Sequence, residues 1–200
     1  MKPASHRAIT RHALTTTALF TALALALAAS LVLSAGIGQL GVPASQVLGS
    51  LLHHAGLDWL PLPQDAADKA LWSIRFPRVA MAALVGAGLA VSGLVMQAIF
   101  GNPLAEPGII GISSGAAVGA GLSIVFGLAV FGEWTTAAFA FAAGLAATFI
   151  VYGMSRADGR TEVVTLVLTG IAVNAIAGAA IALLTFIGDT QSREQIVFWQ

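Results

Sequence analysis

Three groups of residues carry the chain's potential for chemistry. The run Gly111-Ile112-Ser113-Ser114-Gly115 matches G-x-S-x-G, the turn that presents a nucleophilic serine between a strand and a helix. A serine nucleophile needs a base within hydrogen-bond reach, usually a histidine. The histidines are His6, His12, His53 and His54, all far upstream, and the segment around the serines is an apolar helical stretch. Close helix packing is the better account of these small residues, and no catalytic residue is assigned. His53 and His54 are adjacent but lack the cysteine or carboxylate spacing of a metal site. There is no G-x-x-x-x-G-K-[ST] sequence, so ATP would have to be bound by another chain and no cofactor is bound directly.

The second group is cationic. Arg75 and Arg78 are three residues apart, which makes them neighbours on a helix, and Pro77 between them suits a first helical turn. Two cations at a helix N-terminus oppose the macrodipole, so they do not serve that helix's stability. Interfacial anchoring by snorkelling is one reading. Docking of carboxylates from an external partner through guanidinium forks is the other.

The third group is the turn Asn102-Pro103-Leu104-Ala105-Glu106-Pro107. Its prolines cannot donate backbone hydrogen bonds and its asparagine can close a turn. Such a rigid turn serves either as a connector or as a gate constriction. Gln97 and Asn174 are polar residues inside apolar runs, where they face protein or a water-filled path. Interhelical hydrogen bonding is the commoner role.

These residues are positioned by elements that the composition places in a membrane. Apolar residues make up 58% of the chain and charged ones 9%, an imbalance incompatible with a water-exposed surface. Formal charge is zero, which removes any argument for nucleic acid. Without cysteine there is neither disulfide nor thiolate chemistry.

No charge occurs between Arg78 and Glu106, or between Glu106 and Glu133; each interval exceeds the ~20 apolar residues that cross a bilayer as a helix. The pattern predicts an all-α polytopic bundle. It divides into a cytoplasmic tail over 1–12, a first span over 13–35 and an external loop over 36–76 with a short amphipathic helix near Ala44–His54. Residues 77–200 hold spans two to five and the start of a further segment. The first run also resembles a signal peptide, but its length favours an uncleaved span. Spans two to five are expected at about Pro77–Phe100, Gly108–Phe131, Trp134–Met154 and Val163–Ile187. Gly111, Gly115 and Gly119 would stack on one face of the third, and Gly170, Asn174 and Gly178 on one face of the fifth. An odd number of spans ending in mid-pattern predicts an incomplete chain.

With the N-terminus inside, Lys2, Arg7, Arg11, Arg156 and Arg160 fall in the cytoplasm, against Lys69, Arg75, Arg78 and Arg193 outside. Basic residues favour the cytoplasmic side, so the bias is narrow, and Arg75 with Arg78 dilutes it.

The motifs Arg75-Phe76-Pro77-Arg78, Gly86-Ala87-Gly88-Leu89-Ala90, Ser92-Gly93, Met96-Gln97, Asn102 to Gly108 and Gly111 to Ala116, in this order, resemble the FecCD family. These are permeases of binding-protein-dependent ABC importers for iron siderophores, haem and cobalamin. The resemblance runs from about Leu71 to Gln200. It implies a permease of about ten spanning helices per subunit, of which five are present, working as a homodimer or paralogous heterodimer in the bacterial plasma membrane. Cytoplasmic ATPase subunits would drive it and an extracytoplasmic binding protein would deliver the substrate. Arg75 and Arg78 would receive that protein's acidic residues. Asn102, Pro103 and Leu104, with the loop residues Thr161, Glu162 and Val163, would form the cytoplasmic gate. Gln97, Gly111, Ser113, Ser114, Gly115 and Asn174 are assigned to helix packing or the translocation path. A cobalamin importer is the alternative. A secondary transporter normally needs an ionisable residue within a span, and these spans hold none.

Overall fold

The computed structural model describes residues 6–157 and 160–200, with side chains over 15–156 and 162–200. Lys2 and the tip of the Arg156–Arg160 turn therefore lie outside the described residues. The chain is an all-α polytopic bundle, with eight α-helices among the described residues: α1 (His6–Gly36), α2 (Ala44–His54), α3 (Asp65–Ala70), α4 (Phe76–Phe100), α5 (Ile112–Val125), α6 (Thr135–Met154), α7 (Val163–Ile187) and α8 (Thr190–Trp199). A two-residue antiparallel pair, β1 (Arg156–Ala157) with β2 (Arg160–Thr161), joins α6 to α7. Helices dominate because lipid offers no partner for backbone polar groups, and a helix satisfies them within itself. Among the described residues, Thr15–Gly36, Asp65–Phe100, Gly132–Met154 and Val163–Ile187 are long and apolar enough to cross a membrane.

Two expectations are corrected. Helix begins at Asp65, inside the expected external loop, and continues without a break through a π-helical turn, Leu71–Arg75, into α4. Pro77 is thus an interior residue and does not open the helix. Proline lacks an N–H and crowds the preceding turn, and widening that turn resolves the conflict: the Phe76 N–H donates to Leu71 O, five residues back. Such single π-turns are a recognised way of accommodating a break in the α ladder. The third span is also shorter than predicted. Residues Pro107–Ile110 form a 3-10 turn, Gly111 is left-handed (φ 81°), and α5 has 14 residues, which spans about 21 Å of a ~30 Å hydrocarbon core.

The chain divides into two compact units, one ending at Ala87 and one beginning at Gly88, with the division falling inside α4. In the first, Ala35, Val42, Val47 and Leu71 form a buried cluster covered by Val32, Ala67, Phe76 and Val79. A polar chain lies beside it. The buried Ser50 hydroxyl donates to Asp68 at 2.5 Å and accepts from Trp72 Nε1 at 2.9 Å. The His54 and Trp72 ring centres lie 4.1 Å apart, and the Trp72 and Phe76 ring centres 5.0 Å apart with their planes at 79°.

In the second unit α5 packs against α6 and α7. Gly115 and Gly119 face α6: a Cβ on Gly115 would lie 2.6 Å from Ala147 Cβ, and one on Gly119 would strike the Phe139 carbonyl. Small residues let the backbones approach this closely, and packing then replaces the hydrophobic drive that lipid does not supply. Ser123 Oγ adds a 3.0 Å hydrogen bond to Thr136 Oγ1. Gly111 does not share that face. Its left-handed conformation takes it out of α5, where a Cβ would meet Val173 of α7 at 2.9 Å. Gly178 has no heavy atom within 4 Å of a Cβ, so the expected stack on α7 makes close contact only through Gly170 and Asn174.

Asp189 caps α8, accepting from the Ser192 N–H at 2.7 Å. That hydrogen bond holds its carboxyl below the ordinary 3.8. A folded pKa below the unfolded one contributes stability above the unfolded value, lost as pH falls through the folded value. Asp189→Ala is expected to lower the protection of the Ser192 amide against exchange at neutral pH and to remove the loss of that protection on acidification; unchanged protection would remove the cap.

Candidate functional site: the arginine pair, the asparagine turn and the α5–α7 polar knot

The two arginines are not equivalent. Arg75, in the π-turn, is half-buried, and its guanidinium reaches the end of α1: Nη1 donates to Ala35 O at 2.9 Å and Gly36 O at 3.2 Å, and Nη2 to Leu40 O at 2.5 Å. Arg78, on the first turn after Pro77, is exposed and has no hydrogen bond or ion pair among the described residues. Sequence spacing places both on one face. The carbonyl partners that separate them come from residues 35–40, and only tertiary structure reveals them.

The turn after α4 is built by its asparagine. Gly101 (φ 59°) ends the helix in a left-handed conformation that costs glycine little. Asn102 Oδ1 then accepts from the Leu104 N–H at 2.9 Å and Asn102 O from the Ala105 N–H at 3.1 Å. Both bonds close one tight turn, with Pro103 inside it. Ala105 is buried, whereas Leu104 is 84% exposed, an apolar side chain at the apex of a rigid turn. On the other connector, Glu162 stands immediately before α7 without a side-chain bond to the helix backbone; its Oε2 accepts from Thr165 Oγ1 at 3.1 Å, and the Glu162 N–H donates to Ser155 O. Thr161 pairs with Arg156 in the two-residue ladder and Val163 is the first residue of α7. Arg156 lies over the Tyr152 ring, 5.6 Å from its centre.

The structure brings Ser114 and Asn174 together. Ser114 Oγ donates to Asn174 Oδ1 at 2.6 Å, and Asn174 Nδ2 reaches Gly108 O at 3.3 Å and Ile109 O at 3.5 Å. The asparagine thus ties the non-helical segment before α5 to α7, where unsatisfied backbone carbonyls would be costly at membrane depth. Gly170 serves the same junction, since a Cβ there would strike the Ile109 carbonyl. Sequence reasoning missed Gly108, Ile109 and Gly170 as parts of this knot; Pro107 and Gly111, bracketing the segment, were the available signal for broken helix. Ser113 is exposed, and Gln97 is half-buried with no side-chain hydrogen bond among the described residues. Gly111-Ile112-Ser113-Ser114-Gly115 follows a 3-10 turn with no strand before it, so it lacks the geometry of a nucleophile elbow.

Comparison with known proteins places these features in context. The model of the FecCD transport family matches residues 14–200. The hemin transport system permease protein HmuU of Yersinia pestis is 41% identical over 150 residues, covering 72% of this chain and 45% of that protein. The molybdate import system permease protein MolB of Haemophilus influenzae is 37% identical, covering 88% of this chain and 51% of that protein. A solved structure assigned to the metal-chelate type of ABC transporter, in an inward-facing conformation, is similar with a TM-score of 0.65 and 32% identity, over 90% of this chain and 49% of that one. The chain spans about half the length of the relatives it matches.

Proposed function

Because the chain belongs to the FecCD transport family, matched over residues 14–200, we propose that it forms part of the permease subunit of an ATP-driven ABC importer. The substrate is an iron chelate or haem, handed over by an extracytoplasmic binding protein. ATP is hydrolysed by cytoplasmic ATPase subunits, two permease subunits enclose the path, and this chain exposes that path alternately to either side. The haem reading draws on the 41% identity to a hemin permease; vitamin B12 permeases at 36% identity support cobalamin as the second reading.

The observation that carries the reading is Arg78, an exposed guanidinium with no partner among the described residues, placed where the polar start of the Asp65–Phe100 helix gives way to its apolar run. A cation so placed offers a bidentate site to a carboxylate. On this reading the N-terminus is cytoplasmic, Arg75 and Arg78 face outward, and the rigid Asn102–Leu104 turn with Thr161–Val163 lines the inner gate. Leu104, projecting from a hydrogen-bonded turn, supplies the apolar constriction, since hydrophobic narrowings close by dewetting.

The test is uptake. Proteoliposomes holding the full-length permease with its ATPase should accumulate radiolabelled haem or ferric siderophore only when ATP and binding protein are both supplied, and Arg75→Glu with Arg78→Glu should abolish accumulation. Uptake driven by a proton gradient without ATP would overturn the importer reading in favour of a secondary transporter.

A further inference from the structure

We infer that α2 lies in the membrane surface rather than in water, and that the trough it forms with α1 and α4 is a site for an acyl chain of a membrane phospholipid. The site is independent of what the permease carries and of which side of the membrane the loop faces.

An amphipathic helix on a protein in water turns its leucines inward. α2 is mounted largely the other way round. Its inward residues include Ser50, fully buried between Asp68 and Trp72, and Gly49, where a Cβ would strike the Pro61 carbonyl. Val47 is buried with them, whereas Leu48 and Leu51, three residues apart and so neighbours on the helix surface, are each 39% exposed. The connections on either side continue that apolar face, with Ile37, Leu40, Leu57, Trp59 and Leu62 all exposed. No Asp, Glu, Lys or Arg occurs between Arg11 and Asp58. A surface in water mixes charges of both signs, and a face that receives a soluble protein is rimmed by polar groups. The uncharged stretch from α1 through α2 fits lipid better than either.

Leu51 opens onto a cavity of about 200 Å³ lined only by apolar residues, among them Leu31 and Val32 of α1 and Val79, Ala80 and Ala83 of α4. Both of those helices are long and apolar enough to cross a membrane, so the trough continues the exposed faces of two spanning helices. Its depth is that of the headgroup boundary. Leu31 precedes the end of α1 by five residues and Ala83 follows Arg78 by five, about 8 Å along a helix. Interfacial helices sink their apolar face about 5–10 Å into the same region. Trp72 stands at this level too, its indole N–H donating to Ser50 while the side chain stays 38% exposed, as suits an aromatic of the membrane interface.

Full-length permease in phosphatidylcholine nanodiscs tests both parts. This chain has no cysteine, so Leu48→Cys, and Ala66→Cys on the exposed side of α3, can each carry a single fluorescent NBD label once any cysteine elsewhere in the permease is changed to serine. Quenching by 5-doxyl phosphatidylcholine should be at least about threefold stronger at Leu48→Cys than at Ala66→Cys, and quenching by aqueous iodide should show the reverse order. Phosphatidylcholine bearing a photoactivatable diazirine in one acyl chain should label the peptide that contains Leu51. Ala83→Phe, which fills the trough, should cut that labelling at least about threefold; Ala80→Leu takes its place if Ala83→Phe fails to fold. Iodide reaching Leu48→Cys as readily as Ala66→Cys would put α2 in water and overturn the proposal. Protection of Leu48→Cys from both quenchers, or protection from iodide gained only when an extracytoplasmic binding protein is added, would overturn it in favour of a protein partner. A parent left unlabelled at Leu51, or labelling that neither filling variant changes, would overturn the acyl-chain site.

Discussion

Gly119→Leu should cost the second unit more than about 3 kcal/mol, the upper range for overpacking, and Gly115→Leu nearly as much. A Cβ at Gly119 already collides with the Phe139 carbonyl and approaches Ala143 Cβ to 2.6 Å; at Gly115 it meets Ala147 Cβ at 2.6 Å and Ala143 O at 3.0 Å. Part of each obstacle is backbone, which cannot swing aside as the end of a long side chain would. The helices must separate, and the Ser123–Thr136 hydrogen bond would lengthen with them. Gly178 is the control. It has the same helical environment but nothing within 4 Å of a Cβ, so Gly178→Ala should be neutral or stabilise by up to about 1 kcal/mol through helix propensity. Thermal melting of the full-length permease followed by size-exclusion chromatography measures all three. Gly115→Leu and Gly119→Leu melting like the parent would show that α5 and α6 are not in this contact.

How far such contacts were legible in the sequence depended on how local their causes are. The extent of α7 follows from an uncharged, mostly apolar run between Glu162 and Gly188, and the amphipathic α2 follows from its own periodicity. Pro77 was harder to read. Proline signals helix starts and helix interiors alike, and what decides between them here is a π-turn whose donor, Phe76, carries no sequence signature. The length of the third span failed for a related reason: Pro107–Ile110 is as apolar as a helix, but the left-handed Gly111 separates it from α5. Glycine stripes announced close packing without naming the partner. Gly115 and Gly119 find α6, whereas Gly86, Gly88 and Gly93 have no heavy atom within 4 Å of a Cβ among the described residues. Type and spacing single out Arg75 and Arg78 as a pair. The difference between them was invisible, because it is set by carbonyls some forty residues upstream in the sequence.

Asn174→Leu should destabilise the second unit by about 2 kcal/mol, and Ser114→Ala should give back part of that loss in the double variant. Two magnitudes compete. Stranding buried polar groups costs roughly 1–3 kcal/mol each, whereas measured side-chain hydrogen bonds between membrane helices average only about 0.6 kcal/mol. The distances decide the balance. Asn174 Nδ2 to Gly108 O and Ile109 O, at 3.3 and 3.5 Å, sit at the long limit of a hydrogen bond and add less to global stability than the shorter bond, although they are what tethers the 3-10 turn to α7. Ser114 Oγ to Asn174 Oδ1 is short, at 2.6 Å, and dominates. With leucine at 174 the Ser114 hydroxyl loses that acceptor. Changing Ser114 to alanine as well removes the stranded group, so the double variant should be more stable than the single. What neither variant restores is the tether on the 3-10 turn. Amide exchange at Gly111, whose N–H donates to Gly108 O, should therefore stay fast in both, and transport should fall in both if that segment must hold its shape beside the path. A double variant no more stable than Asn174→Leu, or a Gly111 amide as protected as in the parent, would mean that Asn174 does not hold the broken segment against α7.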